Sequence, residues 1–362
     1  MPVGQGIMMR TRYARSQWMV ILPLLLGCSL TGAPAGGTNP ATQTALARSI
    51  ILYSTMAAGR FPSPTQTAWG VPTSSPTASA TIQTNDTPTP TETGIPAATA
   101  TAAVEHTLTP PGPGGITRYI IDARTRDYAP EQKVALGSDV HLVNRYERPY
   151  TAETMEYLPD VDLYQVDLSI TPPWVVLTFH LGGPRAGGIG RTMYGAEFDT
   201  NRDGRGEYLV WAASPADGNW TTAGVEIRRD TNADVGGPNP QWANAPWTGG
   251  DGYDRVLFPA GPGSDPDLAW TRQADEGRKV QLAFKYIAIG NAPFFLWNGV
   301  ADFGLRRPDW FDYNDRFTQA DAGSPLPVQA ELYPLHALWG IDNTCRDAYG
   351  YEPDGAELGL CD

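Results

Sequence analysis

The chain has 362 residues, which is enough for one large or two small folded domains with extensions. Its net charge of −13 is uneven, because residues 1–115 carry five Arg and three acidic residues, a charge of +2, which leaves −15 for the rest. Residues 116–362 are acidic enough to repel phosphate backbones and anionic membrane surfaces, which argues against nucleic acid as a partner. Divalent cations and neutral polymers remain as possible partners.

The N-terminus has the pattern of an export signal. Arg10, Arg12 and Arg15 precede an apolar run over 18–26 that has signal-peptide length and is too short to span a bilayer. The run ends in the sequence LLGC, which resembles the lipobox of bacterial lipoproteins, where the Cys becomes lipid-modified and N-terminal after cleavage. The resemblance implies a lipoprotein signal peptide over 1–28 and a membrane anchor on Cys28. The alternative is an ordinary signal peptide that contains a Cys.

The cysteine count agrees with an anchored, exported chain. Three cysteines is an odd number for such a protein. If Cys28 takes the lipid, Cys345 and Cys361 remain as one pair in an oxidising compartment. A bridge between them closes a short loop and contributes about 3 kcal/mol by the chain-entropy estimate. We therefore predict a disulfide between Cys345 and Cys361.

A long segment of low apolar content follows the signal. Residues 61–115 are dominated by Thr, Pro, Ser and Ala and contain no Lys or Arg. Such a composition cannot bury enough apolar surface to offset the entropy lost on ordering. We predict a disordered stalk over 29–115 and a folded domain over 116–362.

The folded part shows the alternation of apolar and polar residues that is typical of strands. Short segments of this kind are separated by Gly, Pro, Asn and Asp, and lie at 163–170, 174–181, 193–198, 207–213, 223–229, 253–258 and 279–289. Long segments with helical periodicity are absent from the sequence. The pattern predicts an all-β fold, an antiparallel and jelly-roll-like β-sandwich with long loops and one or two short helices near 315–340.

The stretch EFDTNRDGRGEYLVW places oxygen-bearing residues between two predicted strands. Asp199, Asn201 and Asp203 have the one-three-five spacing of a calcium loop, and Gly204 stands at the tight-turn position. The carbonyl of Arg205 and the carboxylate of Glu207 could complete the set. The loop is not an EF-hand, because its twelfth position is Val rather than Glu and its flanks are strands.

A second loop repeats the spacing with Asp230, Asn232 and Asp234. If the strand before the first loop runs up, the next runs down and the third runs up again, so both loops leave the same edge of the sheet. We therefore predict Ca²⁺ sites formed by Asp199, Asn201, Asp203, Arg205, Glu207, Asp230, Asn232 and Asp234. The alternative is a pair of Asx-type turns with solvated acids.

An aromatic loop follows the second acidic loop, in the stretch GPNPQWANAPWTGGDGYD. Exposed rings of Trp242, Trp247 and Tyr253 could stack on the sugar rings of a polysaccharide or surface glycan. The alternative is that these rings plug the open end of the sandwich, which is the more frequent fate of large aromatics.

No catalytic residue stands out in the sequence. The motifs GxSxG, HExxH and CxxC and the Walker motif are all absent. A carboxylate pair for glycoside hydrolysis remains open as an alternative, since such pairs are separated in sequence.

The segments YGAEFDTNRDGRGEYLVW, RDTNADVGG, WFDYNDRFT and DNTCRDAYGYEP resemble a group of exported bacterial proteins without an assigned activity, over most of 116–362. The order strand, acidic loop, strand is also similar to family 9-like carbohydrate-binding modules and DOMON-type sandwiches. The haem-binding DOMON version needs axial ligands, usually Met and His, and such a pair cannot be placed here.

We therefore expect a lipid-anchored cell-envelope protein. Its calcium-stabilised sandwich would bind a carbohydrate or another surface ligand without catalysis. The alternatives are an extracellular polymer hydrolase that uses acids at the loop edge and a purely structural surface protein.

Overall fold

A computed structural model describes residues 104–127, 139–184, 192–237, 240–261, 263–303, 307–323 and 337–361. The predicted signal peptide, Cys28 and most of the predicted stalk lie outside these residues. Within them, no helix is long and apolar enough to cross a membrane.

The predicted all-β fold is confirmed, since the described residues form thirteen strands and one short α-helix. The strands are β1 (Arg118–Ile121), β2 (Glu147–Arg148), β3 (Leu163–Thr171), β4 (Trp174–Leu181), β5 (Met193–Asp199), β6 (Tyr208–Ala213), β7 (Val225–Arg229), β8 (Arg255–Pro259), β9 (Ala269–Ala274), β10 (Lys279–Lys285), β11 (Phe295–Asp302), β12 (Ile341–Asn343) and β13 (Asp347–Tyr349).

The strands form two sheets in which every named pair is antiparallel. The first sheet has the order β1-β3-β4-β10-β9. The second has the order β2-β12-β11-β5-β6-β7-β8, and β13 pairs with β11. Strands β5, β6 and β7 are consecutive neighbours, which is the three-strand meander that the sequence predicted.

The main core lies between the two sheets. Phe179 of β4 packs on Tyr194 of β5 with ring centroids 5.8 Å apart, and Phe284 of β10 meets Phe198 of β5 edge-on at 5.4 Å. Each fully buried large apolar side chain contributes about 1.5–3 kcal/mol to folding. The period-2 pattern therefore places one face of each sheet in a shared core, as a sandwich requires.

A second core covers the outer face of the larger sheet. Trp211 of β6 is fully buried, and its ring lies 5.3 Å from that of Phe311, which belongs to the segment after β11. Val235 and Tyr253, from the long connection between β7 and β8, join the same cluster. The long loops thus form a third layer on the sheet, and the candidate site lies in this layer.

The prediction of one or two short helices near 315–340 is confirmed for one helix. Helix α1 (Gln319–Ala322) is one turn long, and the side chain of Thr318 caps it by accepting from the N–H of Asp321. Residues 324–336, where a second helix was also expected, lie outside the described residues. The strand predicted over 279–289 ends at Lys285, because the chain turns there into a 3₁₀ segment, Tyr286–Ile289.

The predicted disulfide joins Cys345 and Cys361, with a Cα–Cα distance of 5.1 Å. The bridge fixes the C-terminal segment beside β13, and a backbone hydrogen bond from the Cys361 N–H to the Arg346 carbonyl oxygen reinforces it at 3.0 Å.

The folded domain extends further toward the N-terminus than the predicted boundary at 116. The carboxylate of Asp267 accepts from the backbone N–H groups of Thr107 and Leu108, each at 2.8 Å, and lies 2.8 Å from His106 Nδ1. The ring of His106 packs on Trp270 at 4.6 Å. Residues 106–108 are therefore attached to the first sheet, although their composition resembles the stalk.

Candidate functional site

The meander brings both acidic loops to one edge of the larger sheet. The first loop connects β5 to β6, and the second follows β7. The guanidinium of Arg205 in the first loop donates to the carbonyl of Ala233 in the second at 2.6 Å. Gly237 lies so close to the first loop that a Cβ there would be 1.6 Å from the carbonyl oxygen of Gly204. The two loops therefore touch, as the strand directions predicted.

Three acidic side chains converge in the first loop. One oxygen each from Asp199, Asp203 and Glu207 lie within 4.8 Å of one another. Two ligands of one Ca²⁺, each at about 2.3–2.6 Å, can be up to about 5 Å apart. Asp199 is only 2 % exposed, and its two oxygens accept from the N–H groups of Arg202 and Gly204, at 2.5 and 2.8 Å. These bonds curl the loop and fix the Asp199 carboxylate next to the other two acidic residues.

The amide of Asn201 lies among these oxygens. Its Nδ2 donates to Asp203 Oδ2 at 3.2 Å and to Glu207 Oε1 at 2.6 Å. The amide thus puts a partial positive charge between two acidic residues. Turned by 180° about its terminal bond, the same amide would present an oxygen ligand to a cation. In the present arrangement the Asn201 Oδ1 accepts from the N–H of Asp203 at 2.8 Å, so both ends of the amide are bonded within the loop.

The environment of Glu207 disfavours the charged form of its carboxyl. Burial raises the pKa of Glu207 to about 7, hydrogen bonds from Thr200 oppose the shift, and the charges of Asp199 and Asp203 add to it. A carboxyl held among other acids is stabilised in its charged form by a nearby cation. Burial also raises the pKa of Asp199.

Arg205 has a structural role that the sequence did not predict. Its carbonyl was predicted as a calcium ligand, whereas its side chain reaches across to the carbonyl of Ala233 in the second loop. Its N–H donates to Asp203 Oδ1 at 2.9 Å. Arg205 therefore orients Asp203 and links the two loops.

The second loop is built on the same plan with fewer acids. Asp230 is 5 % exposed and accepts from the N–H groups of Asn232, Ala233 and Val235 at 2.8–3.0 Å. In the described part of the chain, its acids do not form a group of three comparable with that of the first loop. The Nδ2 of Asn232 donates to Asp234 Oδ2 and to the carbonyl of Gly250, both at 3.0 Å. The carbonyl of Gly250 therefore joins the oxygens of this loop.

The second loop is hydrogen-bonded to the aromatic loop at three points. In addition to the Asn232–Gly250 bond, the N–H of Gly252 donates to Asp234 Oδ1 at 2.9 Å. The N–H of Thr231 donates to Asp254 Oδ1 at 3.0 Å. The second acidic loop and the aromatic loop therefore form one connected unit, which sequence spacing alone did not indicate.

The three aromatic residues predicted to bind a ligand differ in their exposure. Tyr253 is fully buried and donates its hydroxyl to Glu197 Oε1 at 2.7 Å, so the prediction that its ring faces a ligand is wrong. Its loop folds back onto the sheet, and the ring fills the second core. Trp242 is 41 % exposed, with the guanidinium of Arg316 4.2 Å from its ring centroid. Trp247 is half-buried beside Trp310, with centroids 5.1 Å apart.

An open groove of about 260 Å³ lies next to these tryptophans. It is lined by Ala243, Arg307, Trp310, Asn314, Asp315, Phe317 and Ala337. The Nε1 of Trp310 is buried without a hydrogen-bond acceptor among the described residues. Trp310 was not predicted from the sequence, because a Trp that lines a groove has the same local sequence as one in a core. The groove combines an aromatic wall with polar groups, which is the usual composition of a small-ligand site.

A buried ion-pair network fixes the first loop from below. Arg346 donates to Glu197 Oε2 and to the carbonyl of Gly204, both at 2.7 Å. Glu197 also accepts from Tyr253, and burial followed by the charge of Glu197 raises the pKa of the nearby Asp312. Removing one partner of such a buried pair is costly. The network therefore holds the loop and the aromatic segment against the sheet.

No family model, curated protein or solved structure matches this chain. The fold and the geometry of the loop layer are therefore what bear on function.

Proposed function

We propose that this chain is an exported, lipid-anchored cell-envelope protein whose calcium-stabilised sandwich binds a polysaccharide or surface glycan without catalysis. The observation that carries the proposal is the junction between the second acidic loop and the aromatic loop. Asn232 and Asp234 each bond to the backbone of the aromatic loop, at Gly250 and Gly252. A cation bound in the acidic loop would therefore act on the segment that carries the tryptophans.

The donor chemistry supports calcium. The candidate ligands are carboxylate, amide and carbonyl oxygens, which are the ligands that Ca²⁺ takes in flexible geometries with six to eight contacts. Magnesium requires a smaller, near-octahedral shell and keeps several waters, so we expect it to substitute poorly. In each loop an asparagine amide nitrogen lies next to a carboxylate oxygen, Asp203 Oδ2 or Asp234 Oδ2. Binding would turn each amide so that its oxygen faces the cation.

Calcium would couple to ligand binding through loop order. With the cation bound, the Asn232 side chain and the Gly250 carbonyl would both coordinate it. This coordination would replace the hydrogen bond between them. The segment 240–254 also pairs with the groove wall, because the N–H of Ala243 donates to the Arg316 carbonyl at 2.7 Å. Restricting this segment before the ligand arrives reduces the ordering cost of binding. Retention of a glycan should therefore depend on calcium.

The groove suits a sugar unit held by stacking and hydrogen bonds. Trp310 provides an aromatic surface, and Asn314 and Arg307 provide hydrogen-bonding groups along the same wall. The groove is smaller than the usual range of about 300–1,000 Å³ for pockets that enclose drug-sized ligands. We therefore expect recognition of a short part of a polymer, with weak affinity at a single site.

A glycan panel tests the proposal. Purified protein should be retained on some polysaccharide in calcium and released by EDTA, and Trp310→Ala or Trp247→Ala should abolish retention. Trp220→Ala is the matched control, since Trp220 packs on the outer face of the other sheet. Equal retention in calcium and EDTA, or no effect of either groove substitution, would contradict the proposal. Steady cleavage of a polymer that one acidic substitution abolishes would instead establish the hydrolase.

A further inference from the structure

Four carboxylates, three of them buried and one partly exposed, meet at the edge where the two sheets approach each other. Asp122 follows β1, and Asp162 precedes β3 of the first sheet. Glu147 lies in β2 and Asp342 in β12 of the second sheet, where the two residues are directly opposite each other. One oxygen each from Asp122, Glu147 and Asp342 lie within 4.8 Å of one another. Like charges directly opposite across strands are destabilising, so this pairing calls for a compensating group.

Three of the four carboxylates, those of Asp122, Asp162 and Asp342, have an oxygen without a hydrogen-bond partner among the described residues, whereas Glu147 accepts from the hydroxyl of Thr125. Asp342 is 0 % exposed; its Oδ2 accepts from the N–H of Leu163 at 2.7 Å, but its Oδ1 has no partner in the described part of the chain. Asp162 is also 0 % exposed, and burial raises its pKa, although the charge of Arg126 acts to lower it. Its Oδ2 accepts from Tyr157 at 2.5 Å, and its Oδ1 has no partner within hydrogen-bond distance in the described residues. Asp122 Oδ2 is in the same state. Native proteins rarely leave such atoms unsatisfied, because a buried polar atom without a partner loses its hydration and gains no hydrogen bond in return.

Burial and mutual repulsion disfavour the charged forms of these carboxyls. Burial raises the pKa of Asp122 to about 7, although the N–H of Ala123 and the charge of Arg145 oppose the shift. Burial likewise raises the pKa of Glu147 and of Asp342, and the charges of the other acids in the cluster raise both further. The arginine charges that act on the cluster therefore do not offset its burial and mutual repulsion.

We propose that Asp122, Glu147 and Asp342, with Asp162 beside them, form a buried site for one divalent cation of the calcium type that joins the two sheets. All the donors are hard oxygens, and their separation fits ligands of one Ca²⁺. A buried cation compensates several carboxylates at once, which no single hydrogen bond can do. Because Asp122 is partly exposed, the site has a route to solvent.

This site is independent of the acidic loops, so its calcium can be counted separately. The triple variant Asp203→Asn, Glu207→Gln, Asp234→Asn removes carboxylates from the loops and leaves the buried cluster intact. The purified variant is treated with chelator, reconstituted with calcium alone, passed through a desalting column and measured for bound metal. We expect it to retain one equivalent of calcium. Adding Asp342→Asn should remove that equivalent, because calcium affinity depends on the number of charged ligands.

A stability crossover provides the second readout. Asp342→Asn keeps the shape of the side chain and removes its charge repulsion with Glu147. In EDTA, the triple variant with Asp342→Asn should melt at or above the triple variant alone, whereas in calcium it should melt below it. If the Asp342→Asn protein does not fold, Asp162→Asn takes its place in both measurements. A folded triple variant that retains no calcium, or one whose bound calcium is unchanged by the cluster substitution, would overturn the proposal. Failure of glycan retention with the buried calcium intact would count against the proposed function alone.

Discussion

The Nδ2 of Asn232 donates a hydrogen bond to the carbonyl oxygen of Gly250 over 3.0 Å. This bond joins an acidic loop at the edge of the larger sheet to the loop that carries Trp242 and Trp247. The two segments are separate in the sequence. Through this junction, a cation bound in the acidic loop would change the order of the aromatic loop.

The first prediction concerns this junction. Asn232→Ala removes both bonds of the amide, to Asp234 and to Gly250. Because the bonds are exposed, we expect a small loss of global stability, about 1 kcal/mol or less, but faster amide hydrogen exchange over 247–252. Asn232→Asp should behave differently, because the added carboxylate repels Asp234 in EDTA and offers an oxygen to calcium. Its exchange should be fast in EDTA and protected in calcium; identical exchange of wild type and Asn232→Ala would contradict the account.

The second prediction concerns the contact between the two acidic loops. Gly237 has a φ of +50°, and a Cβ there would lie 1.6 Å from the carbonyl oxygen of Gly204. Gly237→Ala must displace backbone as well as adopt a strained conformation, so we expect a loss of at least about 2 kcal/mol in urea unfolding. Gly249→Ala is the control, since nothing lies within 4 Å of its Cβ. Equal midpoints for the two variants would show that the loops are not in contact.

The third prediction concerns pH and the N-terminal attachment. Although burial acts to raise it, the hydrogen bonds from Thr107, His106 and Leu108 bring the pKa of Asp267 down to about 2. An acid whose pKa is lower in the folded state contributes stability above its unfolded pKa of about 3.9 and loses it as pH falls. Residues 106–108 should therefore detach between about pH 4 and pH 2.

Hydrogen exchange at Thr107 and Leu108 measures this detachment. Asp267→Asn should expose both amides at neutral pH, whereas Asp217→Asn, which alters an exposed turn elsewhere, should leave them protected. Protection of these amides that persists in Asp267→Asn would rule out the carboxylate as the point of attachment.

The fourth prediction concerns the anchor. In a bacterium that processes lipoproteins, the full chain should partition into the detergent phase, because Cys28 would carry the lipid. Cys28→Ser should release the protein or leave an uncleaved precursor. Cys345→Ser is the control, since that residue forms the disulfide with Cys361. Unchanged membrane association and processing of Cys28→Ser would contradict the lipobox interpretation.

The long strands could be predicted from the sequence because alternation is visible over several residues. The segments predicted at 163–170 and 174–181 correspond to β3 and β4. Strands β2, β12 and β13 have only two or three residues each, too few to show a period. The break after Lys285 was missed because the apolar run continues through the 3₁₀ segment.

The candidate site was only partly predictable for a related reason. The spacing of Asp199, Asn201 and Asp203 is local, so a single loop reveals it. Burial of Tyr253 depends on how a long loop folds onto the sheet. The residue type alone does not show this, because Tyr occurs both buried and exposed. The pairing of Glu147 with Asp342 appears only in the register of two short strands. Contacts between segments that are distant in the sequence are therefore what could not be predicted.

We propose that the acidic loops bind calcium and that the bound cation stabilises the domain. Extracellular calcium modules bind at about 10⁻⁴–10⁻³ M. At a concentration of about 100 times the Kd, a site adds about 2.7 kcal/mol, or roughly 5–10 °C in Tm for a domain of this size. Asp203→Ala and Asp234→Ala each remove one loop carboxylate, and Asp217→Ala serves as the control.

The most direct measurement is the Tm of wild type and of the double variant Asp203→Ala, Asp234→Ala in calcium and in EDTA. The account predicts a rise with calcium that is largest in the wild type, much smaller in the double variant and weak with magnesium for both. Calcium-induced shifts in Tm that are the same for the two proteins, together with no difference in binding heat at millimolar calcium, would show that the loops are polar turns without a cation.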